Sequence, residues 1–470
     1  MKKRLSLLLA AAMLLTLLAA CGGGGGQTAS NPPEGGSEPP AEEGVVPAVR
    51  NFPDREQITM WFWGPAPDYQ ETFKKVLVDW YNASQDQYEL TMEFRNTVDV
   101  DIPRALAAHN APDIVYASGP SYTSVYAAEG LVMDLNGYSE QYGWKDRVLQ
   151  VMYDACTVDG KLYSIPGGMV VGGLYYNKDV FAQKGWQPPT TIDEMVALME
   201  QAKAEGMYPL GAGNKGWKPC NDHFSCMIIN HLGSPSLFYD ALSGNTSFNN
   251  PEMVAAVQTS ADWYSKGYLA GQDYVNLDSP EVMQTLLDGR SAMVMAPTTY
   301  TQFAAQCFLG DDADKLGFVP MPTAGTDKAV YDVAINCNFA INAATKYADE
   351  CAKILDYMLT GEFGGRMTEG WPGYWTIPVK DMLNYDASSM TGLSKMSIEA
   401  MQAAVPSIDE GYFALHPATF FPSATVTAFE DVDTVWQGVM TAEQFCQSVD
   451  AELQNDIAAG LICPLVKPAV

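Results

Sequence analysis

Cys220, His223, Cys226 and His231 lie within twelve residues of one another and supply the side-chain types that hold zinc. Their spacing is irregular and lacks the paired turns of zinc modules, so no metal site is expected there. In an exported chain Cys220 and Cys226 could also form a local disulfide. The competing reading is that most of the cysteines beyond Cys21 are buried thiols. The carboxylate pairs Asp99/Asp101 and Asp431/Asp433 could do acid–base work. In a chain with 56 Asp and Glu residues they are read instead as solvated turn residues. The sequence has no Gly-x-x-x-x-Gly-Lys-Ser/Thr phosphate loop, no His-Glu-x-x-His, no Gly-x-Ser-x-Gly and no Ser-x-x-Lys. No catalytic residue, cofactor or enzymatic activity is therefore expected. What the chain offers is aromatic rings beside Gly and Pro turns: Trp61-Phe62-Trp63-Gly64-Pro65, Tyr175-Tyr176-Asn177, Gly216-Trp217 and Gly370-Trp371-Pro372-Gly373-Tyr374-Trp375. Flat apolar faces set among polar groups suit sugar rings, whose C–H faces stack on aromatics while their hydroxyls seek Asp, Asn and Ser.

The elements that must position these rings alternate. Ile58 to Trp63 reads as a buried strand, and Phe73, Val76, Leu77 and Trp80 mark one face of a helix. Tyr88 to Phe94 and Asp113 to Tyr116 are strand-like. Helical patterns recur at 192–204, around 252–266 and at 350–359, where Cys351, Ile354, Leu355 and Met358 share one face. Alternating β and α units predict an α/β fold with mostly parallel sheets covered by helices. The 470 residues, 47% hydrophobic and 11% aromatic, suffice for two or three domain-sized units. A formal net charge of −29 repels phosphate backbones and anionic headgroups, so no nucleic-acid partner is expected.

The start of the chain reads differently. Lys2, Lys3 and Arg4, an apolar run from Leu7 to Leu18, and Ala19-Ala20 have the layout of a secretory signal over 1–20. Leu18-Ala19-Ala20-Cys21, followed by five glycines, resembles the lipobox of bacterial lipoproteins. That resemblance implies a lipidated Cys21 as the mature N-terminus, on the extracytoplasmic face of the cell membrane. Residues 21–50, rich in Gly, Pro and Glu, are expected to form a flexible tether.

Several ordered motifs resemble the extracellular solute-binding proteins of ABC importers, in the family 1 branch that includes the maltose binders. They are Ile58 to Trp63, Ala111-Pro112-Asp113-Ile114-Val115-Tyr116, and Glu129 to Leu135. They continue with Gly160 to Pro166 followed by Leu174 to Asp179, Gly289 to Met293, and Gly317 to Pro322. The resemblance implies a two-lobed α/β periplasmic-binding-protein-like fold with a hinge and an interlobe ligand cleft. By analogy, residues 51–169 plus 323–360 form lobe 1 and residues 170–322 plus 361–470 form lobe 2. It also implies capture of a sugar, an oligosaccharide in the favoured reading, and its delivery to ABC permease subunits.

On this reading Trp63, Asp68, Ser118, Tyr122, Tyr175, Asn214, Trp217, Tyr300, Trp371 and Trp375 are the candidate ligand-binding residues. Trp63, Trp217 and Trp375 are read as cleft residues, and Tyr175 equally as cleft or core. Trp61 and Tyr176 are read as core. Val170 and Thr298 depart from the maltose binders, so maltose specificity does not transfer. The alternatives are a receptor for a peptide or cationic solute, for which Asp68 is the one good cleft carboxylate, and a secreted carbohydrate-active enzyme.

Overall fold

Alternating burial makes Glu56–Trp63 a strand (β1): Ile58, Met60 and Phe62 are fully buried, whereas Thr59, Trp61 and Trp63 are half-buried. This comes from a computed structural model that describes residues 44–216 and 218–470, so Cys21, the signal segment, most of the tether and Trp217 lie outside the described residues. Strand β1 pairs in parallel with β2 (Tyr88–Arg95), from Glu56 against Tyr88 to Trp63 against Arg95. Parallel neighbours need a crossover. Here it is the helical run 67–84, opened by α1 (Pro67–Phe73), which buries Phe73, Val76 and Leu77. Strand β3 (Ile114–Ala117) joins the other edge of β1 at Met60 and Ile114.

Residues 44–50, read from composition as the end of the tether, are tied down. Val45 and Val46 pair with Arg95 and Phe94 at the edge of β2. Glu89, buried in β2, accepts from Arg50 Nε at 3.0 Å and from the backbone N–H groups of Asn51 and Phe52. Burial opposes its charge, but these donors outweigh that and hold the Glu89 carboxyl below the usual range. A depressed folded value contributes stability above the unfolded pKa of about 4.3, lost as pH falls through the folded value. Glu89→Gln is therefore expected to cost about 2 kcal/mol near neutral pH and to flatten the acid limb of stability, read by urea unfolding at several pH values. An unchanged acid limb would contradict this.

Strand β4 (Ile165–Asn177) spans both halves of the molecule, and β5 (Tyr208–Gly211) and β6 (Ser291–Pro297) lie beyond its C-terminal half. Gly172 to Tyr176 of β4 run antiparallel to β6, and Leu174 to Asn177 antiparallel to β7 (Leu316–Val319). The N-terminal half of β4 instead pairs with β8 (Tyr331–Ile341), which continues to β3. β8 also pairs in parallel with β9 (Phe413–Leu415). The fold is thus two-lobed α/β, with β4 and β8 as the strands that belong to both lobes. The sheets are mixed rather than mostly parallel, because a chain that leaves a lobe through one crossing strand must return antiparallel through the next.

Gly173 lies where β4 enters the second lobe. A Cβ there would stand 2.5 Å from the Val319 carbonyl oxygen and 2.5 Å from the Phe318 ring. Backbone cannot yield as a side-chain tip can, so Gly173→Ala is expected to cost about 1–3 kcal/mol, measured by thermal unfolding.

Helices cover both faces. α2 (Ile192–Ala204) starts with a capping box between Thr191 and Glu194, and α3 (Pro251–Ser265) is capped by Asn250. Residues 361–379 pack against first-lobe elements. Phe363 and Trp375 lie against Phe73 of the helical run that follows β1, and Leu149 N–H donates to the Pro378 carbonyl at 2.9 Å. Among the described residues all eight cysteines are free thiols; Cys220 and Cys226 are buried and unpaired with each other. Among the described residues no helix is long and apolar enough to cross a membrane.

Candidate functional site

The end of β1, the first turn of α1 and the 371–375 loop bring four rings together on the first lobe. Trp63, last in β1, donates from Nε1 to the Tyr374 hydroxyl at 2.7 Å and meets Trp371 edge-on at 5.6 Å. Trp371 is stacked between Tyr69, at 4.8 Å and 1°, and Tyr374, at 4.5 Å and 16°. Burial raises the Tyr374 phenol well above its ordinary value, so its oxygen stays protonated. Gly373 has a φ of +87°, and a Cβ there would lie 2.3 Å from the Thr298 carbonyl oxygen, so only glycine lets this loop approach the second lobe.

The lobes touch at Gln302, just after Tyr300. Its Oε1 accepts from Trp371 Nε1 at 3.3 Å, and its backbone carbonyl accepts from the Tyr69 hydroxyl at 3.3 Å. Asn336, at a bulge in β8 opposite β4, donates from Nδ2 to the Tyr374 carbonyl at 2.8 Å. Its buried Oδ1 has no hydrogen-bond partner. That oxygen lies over Gly168 of the paired strand, where a Cβ would stand 2.2 Å from it, so the bulge leaves a buried acceptor without a donor.

On the second lobe, Tyr300 is buried, accepts from Ser279 Oγ at 3.2 Å and faces His223 edge-on at 5.5 Å. Burial lowers His223 to about 4, leaving it neutral at physiological pH. Burial also opposes a charge on His416, yet its neighbours Cys226, Asp332 and Asp222 hold it protonated. The Cys226 thiol is itself pushed up to about 12 by burial, so the carboxylates are the partners that matter at neutral pH.

Of the sequence-derived candidates, Trp63 stands half-buried in the wall of rings on the first lobe and Tyr300 stands beside the lobe contact, whereas Trp371 is fully buried with both ring faces covered by Tyr69 and Tyr374, so it backs the wall and offers no open face. Asp68 is exposed in the first turn of α1, one residue before Tyr69. Ser118 and Tyr122 gather around Asp99 instead: Ser118 Oγ donates to Asp99 at 2.6 Å, and Tyr122 is 41% exposed. Three candidates do other work. Tyr175 is fully buried, its hydroxyl bonded to the Thr298 carbonyl at 3.0 Å and to Thr301 Oγ1 at 2.9 Å, because its side of β4 faces the second-lobe core. Trp375 is fully buried among Phe62, Phe73, Phe339 and Phe363, one layer behind the wall. Asn214 folds its own loop, accepting from the N–H groups of Cys220 and Asn221 at 3.0 and 3.2 Å. Conversely Trp61, read as core, is half-buried under the Arg95 guanidinium at 3.9 Å, and Tyr176 is also half-buried. Sequence reasoning missed Tyr69, Gln302, Asn336 and the Asp222–His416 group. Tyr374 stood in the aromatic run but was not singled out.

Residues 77–391 match the family described as bacterial extracellular solute-binding protein. The chain belongs to that family. This solute-binding protein is 31% identical over 140 residues to a probable sugar-binding periplasmic protein of Mesorhizobium japonicum, a match covering 29% of this chain and 33% of that relative. It is 21% identical over 312 residues to the multiple sugar-binding protein of Streptococcus mutans, covering 65% and 72% of the two chains. Its fold is similar to that of a solved chitin oligosaccharide binding protein, with a TM-score of 0.70 at 20% identity over 86% of this chain and all of that one. Membership in a solute-binding family agrees with a sequence that carries no catalytic motif.

Proposed function

We propose that this solute-binding protein captures a carbohydrate, an oligosaccharide by preference, between its lobes and delivers it unaltered to the permease of an ABC importer. The observation that carries this reading is the half-buried pair Trp63 and Tyr69, backed by the buried rings of Trp371 and Tyr374, with Gln302 and Asn336 beside them. Stacked rings bordered by amide groups match the alternating apolar faces and hydroxyl edges of a sugar. Relatives named for sugar binding support it. β4 and β8 act as the hinge between a first lobe of about 51–169 plus 323–360 and a second of about 170–322 plus 361–470, with 361–379 moving with the first. Solute contacts from both lobes favour the closed form.

Cys21, lipidated, holds the body at the extracytoplasmic face of the membrane through the Gly/Pro/Glu segment, since two acyl chains suffice for stable anchoring. Cys21→Ala is expected to move the protein from the membrane fraction to the soluble fraction; retention on membranes would remove the anchor from the proposal. The solute is tested by thermal unfolding of the full chain against neutral oligosaccharides, amino acids, peptides and polyamines. A bound solute raises the melting temperature with the logarithm of its concentration. Stabilisation by neutral sugars alone is expected. Stabilisation by polyamines or peptides alone would replace the carbohydrate with a cationic or a peptide solute respectively, and cleavage of a tested sugar would make the protein an enzyme.

A further inference from the structure

A second group of side chains lies in the second lobe beside Tyr300. Asp222 and His223 open the helical run 220–233, Asp332 lies on β8, and His416 follows β9. His223 Nδ1 stands 3.3 Å from Asp222 Oδ2, and His416 Nε2 stands 3.7 Å from Asp222 Oδ1. The three donor atoms lie within 4.8 Å of one another, and the two imidazole centroids are 6.0 Å apart. Asp222 is 8% exposed and His416 3%.

Two features separate this group from ordinary ion pairing. A direct carboxylate–imidazolium pair closes to about 2.7–2.9 Å, and the contact of His416 to Asp222 stands off at 3.7 Å. Ligands bound at about 2.0–2.2 Å to one ion stand about 3–4 Å apart; the two contacts to Asp222, at 3.3 and 3.7 Å, fall in that range, and all three donor atoms lie within 4.8 Å. The second feature is orientation. His416 Nδ1 is bonded to Asp332 Oδ1, and Asp332 Oδ2 accepts from Asn230 Nδ2 at 2.7 Å. A carboxylate that fixes one imidazole nitrogen turns the other outward, the arrangement that supports metal-bound histidines.

The geometry points to a binding site for one divalent transition-metal ion, with Asp222, His223 and His416 as ligands and Asp332 as the residue that orients His416. Cys226 Sγ, 3.6 Å from Asp222 Oδ1, places a soft donor at its edge. Imidazole nitrogens with one carboxylate suit zinc, cobalt or nickel, whereas calcium and magnesium call for all-oxygen sets. The proposal is independent of which solute occupies the cleft. Sequence spacing could not reveal the site, because His416 lies 193 positions beyond His223.

The test titrates the full chain, stripped with EDTA and dialysed, with zinc chloride by calorimetry and with cobalt chloride by visible absorption. One equivalent with micromolar or tighter affinity is expected, together with a cobalt spectrum of fewer than six ligands. His223→Ala, at a partly exposed position, should weaken binding at least tenfold, and Asp332→Asn by about 10–100-fold at unchanged stoichiometry. His109→Ala, on an exposed loop, should leave it unchanged. The absence of saturable binding by the wild-type chain up to millimolar metal would overturn the site, as would full-strength binding by His223→Ala.

Discussion

Trp63→Ala is expected to weaken binding of the stabilising solute about 30-fold, because a central aromatic plate is worth about 2 kcal/mol to a bound ring. Trp63 is half-buried, so part of its face is open to a solute, and its Nε1 fixes the Tyr374 hydroxyl at 2.7 Å. Losing the indole removes a stacking face and frees that hydroxyl to turn. Trp63→Phe keeps the face and loses the hydrogen bond, and should recover most of the affinity. Calorimetric titration reads both variants. Wild-type affinity in Trp63→Ala would remove the wall from the binding reading while leaving the fold untouched.

Trp375→Ala is expected to do the opposite. Its ring touches Phe62 at 5.7 Å, Phe73 at 4.6 Å and Phe363 at 5.6 Å and has no exposed surface. Truncating a buried Trp to Ala leaves a cavity that costs about 3–5 kcal/mol. In a protein of this size that lowers the melting temperature by about 3–6 °C. The affinity of the folded fraction should stay within a few-fold of wild type, because the ring lies one layer behind Trp371 and Tyr374. A large loss of affinity with unchanged stability would restore Trp375 to the cleft. The two tryptophans thus carry opposite expectations although both sit in runs of aromatics beside Gly and Pro.

That contrast shows how far the residues could be read. The strand Ile58 to Trp63, the helical face of Phe73, Val76 and Leu77, and the helix around Cys351 were legible because burial repeats with a period of two or 3.6 along one element. The crossing Leu174 to Asp179 was legible as a motif, but not as the second half of a single strand shared by both lobes. Tyr175 and Tyr176 are neighbours on that strand, so their rings point to opposite sides, and periodicity alone does not say which side is core. Tertiary pairing with β6 and β7 decides it, sending Tyr175 inward.

The sequence by itself determined the class of protein: alternating α and β elements, no catalytic motif, strong negative charge and an ordered set of family motifs. These follow from local chemistry and from spacing along the chain. Which rings form a wall and which form a core was decided only by the tertiary structure. So was the meeting of Asp222, Asp332 and His416 from three distant segments. The physical reason is that a side chain's environment is set by the neighbours the fold brings to it, and those neighbours are remote in sequence.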